Sequence, residues 1–89
     1  MKARALPLFQ KAILLHLLDH EEIAGEGATA PVKDLPCPKL FGVFRLTSER
    51  DREVSALIVC GHVELVGNRE HVQLTHRGRV QAQLQRILV

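Results

Sequence analysis

The sequence predicts a small α+β domain that is mainly helical. Three observations carry this. Apolar residues recur at helical spacing near the start and at the end of the chain. The period switches to two between residues 62 and 74. A Gly- and Pro-rich stretch at 24–36 separates the first helix from the rest of the chain. The 89 residues suit one domain, 1–89, with a modest core, because a chain of this size buries roughly 60–65% of its unfolded surface. Hydrophobic residues make up 46% and charged residues 25%, which argues against a disordered tail. There are three Phe and no Tyr or Trp, so the core must come from Leu, Ile and Val. That shortage also leaves little aromatic platform for stacking single-stranded bases or sugars.

Residues 6–20 read as the first helix. Pro7 suits a first turn, where its missing N–H costs nothing. Leu6, Phe9, Ile13 and Leu17 form one apolar stripe, widened by Leu14 and Leu18. Leu8 and Leu15 sit seven residues apart on the other face. They are either scattered surface leucines or the seam of a homodimer. After the loop, Pro36 and Pro38 flank Cys37, and a short helix is expected from Pro38 to about Phe44, with Leu40, Phe41 and Phe44 as its apolar face. Thr47 or Ser48 is expected to cap the next helix, Glu49 to Cys60, which puts Val54, Leu57 and Ile58 on one side. Gly61 is the natural stop. Strands at 62–66 and 71–74 then flank the turn Gly67-Asn68-Arg69-Glu70, matching Val63 and Leu65 with Val72 and Leu74. Thr75 caps a final helix, about 76–88, with Val80, Leu84 and Ile87 inward and Gln81 and Gln85 outward.

The net charge is +2, a weak balance that neither demands nor excludes a polyanion. It is unevenly spread: Lys2, Arg4 and Lys11 make the start basic, and Asp19, Glu21, Glu22 and Glu26 form an acidic cluster. Cys37 and Cys60 are too few for a disulfide framework, and Cys60, in the run Ala56-Leu57-Ile58-Val59-Cys60, reads as a small buried hydrophobe. No signal peptide is expected, because His16 breaks the apolar run 13–18, which is also too short to span a bilayer. The expected context is soluble, reducing and cytoplasmic. His16 and His20 have a metal-compatible i, i+4 spacing, but no further ligand or His-Glu-x-x-His pattern accompanies them, so a polar helix end is the expectation. No cofactor, metal or catalytic site is expected: Cys37 and the five His have no recognisable catalytic spacing.

The order is helix, loop, short helix, helix, hairpin, helix. With the run Val54 to Leu65 and the run Val72-Gln73-Leu74-Thr75-His76-Arg77-Gly78-Arg79, the chain resembles the winged helix-turn-helix superfamily of DNA-binding transcription regulators. The resemblance covers about 48–89, and its most specific feature is the Leu-Thr-x-x-Gly-Arg start of the closing helix. It implies a three-helix core, a two-stranded wing at 62–74, a C-terminal helix after it, and a recognition helix at about 48–60 for the major groove of double-stranded DNA. Arg50, Arg52, Ser55 and Ala56 would act on the recognition helix, Arg69 on the wing and Arg77 on phosphate, with Arg79 also within reach of phosphate. A dimer through Leu8 and Leu15 would complete a transcriptional regulator. The outward face of the recognition helix also carries Glu49 and Glu53, which favours the alternative: a winged helix that meets another protein and binds no DNA.

Overall fold

The computed structural model describes residues 6–87. Lys2, Arg4 and the last residue of the expected helix 76–88 lie outside them. Three helices pack around a small antiparallel sheet, so the α+β, mainly helical class holds. The helices are α1 (Leu8–Ala24), α2 (Thr47–Val59) and α3 (His76–Ile87). The strands are β1 (Ala30–Pro31), β2 (Lys39–Leu40), β3 (Phe44–Arg45), β4 (Val63–Val66) and β5 (His71–Leu74).

Helix α1 buries Ile13, Leu14, Leu17 and Leu18 of the stripe that the sequence predicts, while Leu6 and Phe9 of that stripe and Leu15 are half-buried and Leu8 is exposed. It runs one turn beyond residue 20, through the acidic cluster. Arg86 pairs with Asp19 and Glu22, and Arg79 pairs with Glu21, so cations from α3 offset the clustered negative charge.

Within the loop 24–36, Ala30 and Pro31 form an edge strand, where a proline without an N–H is tolerated. Ala30 sits opposite Val72, giving the sheet order β1-β5-β4. In the β4–β5 hairpin, Val63 pairs with Leu74 and Leu65 with Val72, as the period of two requires. Asn68 and Arg69 both have positive φ, the conformation that closes a tight hairpin turn.

The helix expected at 38–44 does not form. Residues Lys39–Leu40 and Phe44–Arg45 instead make a second hairpin, turning at Phe41 and Gly42 with φ of 55° and 72°. Gly42 takes that conformation freely, and the seven residues bounded by Pro38 are too few to nucleate a stable helix. Neither Thr47 nor Ser48 caps α2; the amides of Glu49 and Arg50 donate to the Leu46 carbonyl. At the other end Gly61 does stop the helix. Its amide donates to Ile58 and that of His62 to Leu57, a Schellman closure with Gly61 at φ 78°. This turn carries Cys60 into solvent, so Cys60 is exposed rather than buried.

Helix α3 is rotated by about half a turn from the expected orientation. Gly78, Ala82 and Gln85 face the interior, whereas Val80, Leu84 and Ile87 are exposed. Gln85 is 0% exposed, and its Oε1 accepts the Leu6 amide at 3.1 Å. The cause lies at the start of the helix. Gly78 presses on the backbone of His62 so closely that a Cβ there would stand 1.7 Å from the His62 carbonyl oxygen. Thr75 caps as predicted: its hydroxyl accepts the Gly78 amide at 3.0 Å and donates to the Gly61 carbonyl at 2.6 Å.

Two substitutions probe this corner. Gly78→Ala gains helix propensity but must displace the His62 carbonyl, and urea denaturation should show a net loss of about 2 kcal/mol. Thr75→Val should cost about 1 kcal/mol by the same measurement, because the Gly78 amide loses its cap.

Candidate nucleic-acid interface

A cleft of about 590 Å³ opens between α2, the end of β1 and the β4–β5 turn. This is within the range of small-molecule sites, roughly 300–1,000 Å³. Its floor is apolar, from Val32, Val54, Ile58 and Leu65. Its polar groups are Lys33, Arg50, Arg69 and His71 against Asp51 and Glu70.

The six residues expected to contact DNA divide into two groups. Arg50, Ser55 and Arg69 line the cleft; Arg52, Ala56 and Arg77 stand apart from it. Arg50 is not on the outward face. It lies four residues before Val54, on the same side of the helix, and is only 8% exposed. Its guanidinium donates to Asp51 Oδ1 at 3.3 Å and to the Lys33 carbonyl at 3.4 Å. It therefore ties α2 to the segment after β1. Arg52 is exposed and pairs with Glu49 at 3.3 Å, within one turn of the helix. Ser55 is exposed and Ala56 half-buried. Arg69 is exposed at the hairpin turn, and Arg77 is exposed at the start of α3.

Arg79, expected within reach of phosphate, serves the interior instead. Its Nε and Nη2 clasp the two oxygens of Glu21 at 2.9 and 2.8 Å, and the Gly27 amide adds a third bond at 2.7 Å. The Arg79 hydrogen bond, joined by the Gly27 amide, holds the Glu21 carboxyl below its ordinary range despite burial. His62 is shifted downward as well, chiefly by burial and then by the nearby Arg77 charge, and its Nδ1 has no partner among the described residues.

Lys33 and His71 carry no signal of their own in the sequence. Lys33 sits in a stretch without periodicity and His71 reads as one residue of a strand, so only the folding of β1 onto β5 brings them to α2. The i, i+4 pair His16 and His20 does not converge on a shared ligand; the His20 ring nitrogen instead donates to the Thr29 carbonyl at 3.0 Å. No group of three or more His, Cys, Asp or Glu among the described residues could hold a metal ion. No described helix is long and apolar enough to cross a membrane.

Comparison with protein-family models, curated proteins and solved structures finds no match to this chain.

The two groups shifted downward, His62 and Glu21, shape the response below neutral pH. The unfolded chain binds more protons than the fold below about pH 6.5 at His62, and again through the lower range at Glu21. Stability should therefore be highest above pH 6.5, fall as His62 is forced to protonate, and fall further as Glu21 does. Thermal melts from pH 8 to 4 should show this decline, and His62→Leu should flatten the part between pH 7 and 5. Replacing Arg79 with Met should cost about 3 kcal/mol at pH 7, because Glu21 is left buried without its cation.

Proposed function

We propose that this domain is a winged helix that binds double-stranded DNA in transcriptional control, with α2 as the recognition helix and the β4–β5 hairpin as the wing. One observation carries the reading. The exposed edge of α2 that carries Asp51 and Ser55 and the Arg69 turn border the same open cleft, so a duplex seated along that edge would meet the wing at the same time. Two further features support it. The first of the three strands between α1 and α2, β1, joins the sheet beside β5, in the order β1-β5-β4. The exposed cations Lys33, Arg52, Arg69 and Arg77 offer contacts to phosphate and bases, and Ser55 offers a neutral one. Arg50 supports α2 from behind, as a positioning residue rather than a contact. The segment before α2 is where this chain departs from a helix-turn-helix, since a hairpin stands in place of the first helix of that pair.

A homodimer belongs to the same reading. Leu8 on α1 is open to a partner, but Leu15 is half-buried and adds little. The outward Val80, Leu84 and Ile87 of α3 offer a second apolar stripe to another copy.

The alternative, a protein-interaction module, draws on the carboxylates of α2. Asp51 is exposed, and Glu49 and Glu53 stand half-buried on the same helix, where they would repel phosphates and suit a basic protein surface.

The deciding measurement is fluorescence anisotropy of random-sequence duplex DNA at several salt concentrations. Binding that weakens steeply with salt is expected, with Arg69→Ala lowering the log–log slope by about 0.9 and Arg52→Ala relaxing sequence preference. Absence of binding at the lowest salt would leave the protein-interaction reading in its place.

A further inference from the structure

The β2–β3 hairpin shows solvent what a fold normally hides. Leu40, Phe41, Val43 and Phe44 are all exposed, Phe41 to 84%. Two of the three phenylalanines of the chain stand there, and Phe41 holds a φ of 55°, which is costly for a bulky side chain. The ribbon is also two-faced. Leu40 lies opposite Phe44 on one face, and Lys39 lies opposite Arg45 on the other. Like charges directly across a ladder disfavour pairing. No carboxylate among the described residues pairs with either cation, and Arg45 donates only to the Lys33 carbonyl, at 3.2 Å. An apolar tip on two uncompensated cations calls for a partner that is anionic at its rim and apolar within.

We propose that this hairpin is an apolar wedge for the minor groove of duplex DNA, an inference that rests on the DNA-binding function proposed for α2 and the wing. The groove is roughly 6 Å wide and lined on both sides by phosphates. A two-stranded ribbon is itself too broad to enter such a groove, but the side chains at its turn are not, and Lys39 and Arg45 stand about 3.3 Å behind Leu40 and Phe44. Their long side chains therefore reach the phosphate rims when the tip meets the bases. Phenylalanine, leucine and similar side chains inserted at such a depth part a base step and kink the duplex by roughly 20–90°. The position fits as well. Arg45 from the hairpin and Arg50 from the cleft both donate to the Lys33 carbonyl, so hairpin and cleft meet at Lys33 beside the start of α2.

The test uses the full chain and a duplex with donor and acceptor dyes at its ends. The protein should raise energy transfer by bending the duplex. Phe41→Ser with Phe44→Ser should abolish that rise and weaken binding about tenfold, without changing the salt slope. Lys39→Gln with Arg45→Gln should instead lower the slope by about two. All four side chains are exposed, so an unchanged thermal midpoint will confirm that the variants fold. Binding without bending, or bending that survives loss of both phenylalanines, overturns the wedge and leaves the DNA-binding reading intact. Failure to bind duplex at any salt overturns both. Binding to phosphatidylserine-containing vesicles that the phenylalanine variant abolishes, with duplex binding unaltered, assigns the hairpin to a membrane surface and overturns the wedge.

Discussion

The Glu21–Arg79 pair lies where α1 ends and α3 begins, and the placement of both helices depends on it. Two parallel hydrogen bonds set the direction of the guanidinium as well as its distance. Because Arg79 directly follows Gly78, that direction also turns Gly78 toward the His62 backbone, where no side chain fits. Thr75 closes the same corner from below, with one hydroxyl serving both the helix amide and the Gly61 carbonyl. The Leu-Thr-x-x-Gly-Arg run thus has a mechanical meaning here. Its threonine caps, its glycine permits contact and its arginine anchors. Glu21 further orders the loop after α1 by accepting the Gly27 amide. Desolvating such a pair is costly, and the return is orientation: a charge partner tolerates one geometry where leucines tolerate several.

The rotation of α3 follows from this corner. With Gly78 and Arg79 committed inward, Ala82 and Gln85 come inward too, since they lie at helical spacing from Gly78. The apolar Val80, Leu84 and Ile87 are left on the far side. Summed hydrophobicity favours the opposite orientation, but three partly exposed aliphatics are each worth only a kcal/mol or two. A rotated α3 would strip Glu21 of its cation and drive a side chain into the His62 carbonyl, which outweighs that gain.

Much of the scaffold was legible in the residues. The stripe from Ile13 to Leu18, the stop at Gly61, the register of Val63 and Leu65 on Leu74 and Val72, and the Thr75 cap all follow from period and local chemistry. The candidate site was less so. Arg69 stands exposed at a turn, as its Gly-Asn neighbours imply, but Arg50 turns inward because helical phase places it above Val54. Lys33 and His71 reach α2 only through β1 pairing with β5, across some forty residues of sequence. The segment 38–46 could support either spacing. Leu40, Phe41 and Phe44 suit one face of a helix, and Phe41-Gly42 suits a tight turn.

The sequence by itself determined the three long helices and the β4–β5 hairpin, though not β1 or the β2–β3 hairpin, because helical and strand periods and the glycine and threonine stops are local properties. It also determined that the core is aliphatic and the charge weak. Only the tertiary structure decided which way α3 faces, where Arg79 points, and that Leu40, Phe41, Val43 and Phe44 stand in solvent. Those outcomes rest on a carboxylate 58 residues away from its guanidinium and on one backbone pressed against another. Contacts between distant segments leave no period in the sequence.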